Sequence, residues 1–399
     1  MPDASTPQRA APTQSRRPRP VERPFYGLID SIIVADPADF VFEGSISHTH
    51  AQAIWTWLAR DVAPDLIDRS GADEDESRAQ FELRLPDVLI RARGVYADAA
   101  YDPELTRRAI VQLNGEEVWA RVPAMLMALK SRLLLEKAQE FGRVINAMAD
   151  DAALVAALPS IPRTDPQIHA MFLHAMVGQV TAPHRLIVAA IKITNAATDA
   201  ALQRAGFTPL IEAMLAHAQA QIPVVQQIGP FADVDLICRA LDRFHKLMRA
   251  VGGYIELTRM GRWASISASL TTEISAQLAP RLQHVMPDIN LSMRRREGAD
   301  RVDSEQLLAA LNGCFLLATV RECRDSLAVN TVFEQTWAQV GQALEVHVQR
   351  YLDLYRQHPQ DRGIGARLEA AIKMAELRFN TEYADVLRRA RESVERRVS

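Results

Sequence analysis

Three of the ten histidines fall close enough in the chain to share a ligand: His169, His174 and His184. Neutral imidazole is both a metal ligand and an acid–base group near pH 7. His169 and His174 stand five residues apart on one expected helix, however, which puts them on diverging faces. A shared metal would need His184 to swing in across the Pro183 break. The chemistry these residues support is a polar interhelical pocket formed with Gln179 and Asn195, set against ordinary hydrogen bonding between helices. His48 and His50 sit two apart at a helix start with no third ligand at motif spacing. No metal and no cofactor are expected.

The second candidate is cationic. Arg239, Arg243, Lys246, Arg249, Arg259 and Arg262, with Tyr254 and Trp263 nearby, form a basic face interleaved with aromatics, as phosphate-binding surfaces do. Asp235 precedes Arg239 by four residues and Asp242 precedes Lys246 by four, the spacing of helix-surface ion pairs. Arg243, Arg249 and Arg262 are left without an obvious partner in the sequence. The loop triplet Arg294, Arg295 and Arg296 would strengthen the face if it folded back.

Motifs for common enzymatic chemistry are missing. The chain has no phosphate loop of the Gly-Lys-Ser/Thr type, no Gly-x-Ser-x-Gly turn, no His-Glu-x-x-His, no Cys-x-x-Cys and no Glu-x-x-His. Asp73 to Glu76 is a run of carboxylates without the glycine-punctuated spacing of a calcium loop, and reads as an exposed loop.

The elements that must position these residues are helices. The longest apolar rhythm runs through Val234, Ile237, Leu241, Phe244, Met248, Val251 and Ile255, at steps of three and four. A second runs through Ile266, Leu270, Ile274, Leu278 and Leu282 at steps of four. Together they predict a long helical hairpin over 232–284, turning near Gly261, with a polar loop from Pro287 to Asp303. Gly252 and Gly253 interrupt the first helix, and close approach of another helix is the simplest reason.

Elsewhere Ser47 or Thr49 caps a helix reaching Asp61, Asp102-Pro103-Glu104 opens another, and Asp303 with Gln306 opens a third. Helical rhythm resumes around Gln80 and, after Pro86, continues to about Ala99. One long helix is expected to end near Ala149, another over 184–205, and a last one over 365–397. The only strand material is Leu28 to Ala35 and Phe40 to Phe42, a short hairpin or an extended strap.

Composition agrees with this reading. Hydrophobic residues make up 48%, aromatics only 6%, and there are just 17 glycines, which is helix-protein composition. A net charge of −3 leaves no overall field that would concentrate the molecule on nucleic acid or anionic lipid. The three cysteines, Cys238, Cys314 and Cys323, do not form a paired framework and fit a cytoplasmic setting. No signal segment or membrane span is expected.

The expected fold class is therefore all-α, an array or bundle of roughly a dozen helices in two lobes. A disordered Pro/Arg-rich tail occupies 1–24, a first lobe 25–158, and a second lobe 167–399, divided near the prolines at 159, 162 and 166. The expected function is non-enzymatic: interaction or scaffolding with protein partners or with a second copy. The alternatives are an α-helical enzyme or ligand-binding regulator using His169, His174, Gln179, His184 and the arginines, or nucleic-acid or phospholigand binding through Arg243, Arg249 and Arg262.

Overall fold

The computed structural model describes residues 25–36, 40–67, 74–226, 233–294 and 302–398. Residues 1–24, Asp73, Arg295 and Arg296 lie outside them. The described chain is an all-α array of seventeen α-helices. The first half holds α1 (His48–Trp57), α2 (Glu74–Tyr101), α3 (Pro103–Gln112), α4 (Glu116–Lys130), α5 (Arg132–Ala147), α6 (Asp151–Ala157), α7 (Pro166–Val177), α8 (His184–Thr194), α9 (Asp199–Arg204), α10 (Thr208–Gln219) and α11 (Ile222–Gln226). The second half holds α12 (Val234–Tyr254), α13 (Arg262–Ser292), α14 (Ser304–Cys323), α15 (Asn330–Gln357), α16 (Arg362–Arg378) and α17 (Thr381–Val398). Among the described residues no helix is long and apolar enough to cross a membrane.

Local chemistry sets the helix starts as expected. Ser47 Oγ accepts from the His50 amide, Asp102 Oδ1 from Glu104, and Asp303 Oδ1 from Glu305 and Gln306. Each supplies an acceptor to amides that have no partner within their own helix.

The strand region departs from a hairpin. Phe25–Ile32 is a 3-10 helix, and β1 (Ile33–Val34) pairs in parallel with β2 (Ile46–Ser47). Two residues per strand cannot make a sheet, so the unit acts as a clasp that leads the chain into α1. Gly44 makes the close pass required here: its φ is +83°, and a Cβ would collide with the Ala170 backbone in α7.

Several boundaries also move. Pro287 lies inside α13 instead of opening the polar loop, Pro86 lies inside α2, and helix begins at Glu74 within the expected acidic loop. A proline in a helix interior costs about 3 kcal/mol. Val285, Ile289 and Met293 are all buried around Pro287, and burying three such side chains stabilises by roughly 5 kcal/mol or more. Burial outweighs the lost backbone bond. Conversely, the long helix expected to end near Ala149 is broken into α4 and α5 at Ser131. Left-handed Asn195 ends α8, and Asn380 lies at the break between α16 and α17.

Both predicted seams are buried, with Ile237, Leu241, Phe244, Val251, Ile266, Leu270, Ile274, Leu278 and Leu282 in the core. They do not, however, seal against each other. α12 packs on α8, α10 and α14, while α13 packs on α14 and α15, so α12 and α13 share little contact and are bridged by α14. A hairpin in sequence is thus two arms closed on a third helix. Gly252 and Gly253 fall in the last turn of α12, and neither has a neighbouring helix against it. Across the proline segment at 159–166, α5 lies along α7 and α6 along α8.

Candidate functional site

α7 is the element on which the predicted polar residues converge. It is nearly all buried from His169 to Val177, so the carbonyls of its last turn cannot turn to water. Local amides satisfy part of the demand: Gly178 donates to His174, Gln179 to Met176 and Val180 to Val177. Two side chains from other helices complete it. His217 Nε2 of α10 lies 2.8 Å from the His174 carbonyl, and Arg243 of α12 donates to the carbonyls of Val177, at 2.7 Å, and Val180. A guanidinium at a helix C-terminus also meets the negative end of the peptide dipole.

The imidazoles of His174 and His217 stack face to face, with centroids 4.2 Å apart and planes 27° from parallel. Burial drives the His217 pKa down to about 4, and neighbouring Arg243 adds to that, opposing the bond to the His174 carbonyl. His174, only 1% exposed, is held well below the usual histidine range by burial and then by His217. Its Nδ1 is buried with no hydrogen-bond partner. Both rings are therefore neutral at pH 7. The arrangement is a closed, packed C-terminal cap, without room for a substrate.

The pocket expected from sequence does not assemble. His169 Nδ1 faces the Pro162 carbonyl at 2.9 Å, at the opposite end of α7 from His174. His184 is exposed and stacks on Tyr254, 5.7 Å away. Gln179 contributes its backbone, accepting from Asn146 Nδ2 at 2.8 Å, and its Cβ sits where Gly142 leaves space. Asn195 caps α8 in the left-handed conformation. The partner that His174 does find, His217, was missed from sequence. The only signal was a histidine near the end of α10, which has no meaning until that helix is set against α7.

The basic face is likewise occupied. Arg239 pairs with Asp235 at 2.6 Å and Lys246 with Asp242 at 2.6 Å, as the four-residue spacing implies. The three arginines without a sequence partner find one in space: Arg243 on α7, Arg249 with Asp325 at 3.8 Å, and Arg262 with Glu212 at 3.0 Å. Much of the field that would attract a phosphate is neutralised within the chain. Among the described residues no cluster of histidine, cysteine or carboxylate can hold a metal.

Two surface features stand out among the described residues. A groove of about 570 Å³ runs along one ridge of α1, with His48, Gln52, Thr56 and Arg60 at four-residue steps, facing Val111, Gln112 and Asn114. Its lining mixes polar and apolar surface, and it is half open to solvent. The other lies on α2, which is apolar on two opposite sides. Phe81, Leu85, Val88, Leu89 and Ala92 are buried, and Trp55 of α1 meets Phe81 edge-on at 5.4 Å. On the solvent side Ala79, Leu83, Pro86, Ile90, Gly94, Ala97 and Tyr101 follow at steps of four and three, every one of them exposed. Leu83 is 82% exposed, Ile90 66% and Tyr101 91%. Sequence spacing carried this second stripe, but periodicity alone does not say which apolar face of a helix stays in solvent.

The chain matches no family model, no curated protein and no solved structure.

Proposed function

We propose that this protein is a non-enzymatic association module, whose helical framework presents a surface to protein partners. One observation carries the reading: on the solvent side of α2 exposed apolar residues from Ala79 to Tyr101 follow at helical spacing over some 33 Å. Such a contiguous exposed stripe is the mark of a protein contact, whereas scattered exposed leucines are ordinary.

Two further facts support it. His217 and Arg243 are engaged in capping α7, and Arg249 and Arg262 are engaged in ion pairs. Cys238, Cys314 and Cys323 are free thiols, and burial raises the pKa of Cys314 and Cys323 to about 12, which leaves them inert and fits a reducing, cytoplasmic setting.

Native mass spectrometry of the full-length chain tests this. A mass equal to one chain, or to a whole multiple, is expected. A small-molecule mass that survives desalting would replace this reading with a ligand-binding one, and salt-sensitive retention on heparin would replace it with a nucleic-acid or phospholigand one.

A further inference from the structure

We draw no further inference here: the strongest candidate, the exposed apolar face of α2 between Ala79 and Tyr101, belongs to the association surface already described, and nothing in the structure shows what covers it.

Discussion

Replacing His217 with glutamine should flatten the pH dependence of stability. In the folded protein His217 titrates at about 4, whereas a histidine in an unfolded chain titrates near 6.5. Between these values the unfolded state binds a proton that the native state refuses, so stability rises with pH. The contribution is fully present above pH 6.5 and is lost progressively as pH falls toward 4. With these two pKa values, integration gives about 2 kcal/mol lost on going from pH 7.5 to pH 5 through His217 alone. Buried His174 adds to the slope in the same direction. The physical source is that a charged imidazole would have to sit without water, stacked on a second ring and next to the Arg243 guanidinium. His217→Gln keeps an N–H donor for the His174 carbonyl and removes the titration. Urea unfolding of the wild type and the variant at pH 7.5 and pH 5 measures the difference. The variant should lose about 2 kcal/mol less than the wild type over that interval, even if it is less stable at pH 7.5. An unchanged pH dependence would refute the argument, since it would mean that His217 is hydrated and titrates normally.

Removing the other half of the cap should act at every pH. Arg243→Met keeps the apolar stem but strips the donors from the Val177 and Val180 carbonyls, a loss of about 2–4 kcal/mol, and Arg243→Lys should not fully rescue it, because one ammonium lacks the forked geometry; urea midpoints decide. Two glycine substitutions should go in opposite directions in thermal melts. Gly142→Ala places a methyl 2.9 Å from Gln179 Cβ and against the Met176 carbonyl, forcing α5 off α7 at about 1–3 kcal/mol. Gly252→Ala enters open space near the end of α12 and should stabilise by about 0.5–1 kcal/mol.

Much of the fold was legible because its causes are local. The caps at Ser47, Asp102 and Asp303 depend on a side chain reaching an amide two or three residues away, so composition at the helix start decides them. The stripes of α12 and α13 needed only helical periodicity to be identified as buried. Where the expectation failed, a distant contact had overruled a local rule. Pro287 stays helical because burial of Val285, Ile289 and Met293 outweighs one missing hydrogen bond.

The residues with chemical potential belong to the other category. Sequence by itself determined that Arg239 and Lys246 have carboxylates one turn away, since a helix fixes that distance. It could not determine that Arg249 meets Asp325, that Arg262 meets Glu212, or that Arg243 turns inward to the end of α7. Those partners lie 50 or more residues away, and only the packing of α12 and α13 against other helices, α13 on α10 among them, brings them within reach. The packing of α7 on α10 made His174 and His217 a neutral, buried pair instead of a pocket, and no neighbouring helix covers the second apolar face of α2 among the described residues. Periodicity tells which faces of a helix are apolar; whether a neighbour covers each face is set by the tertiary structure alone.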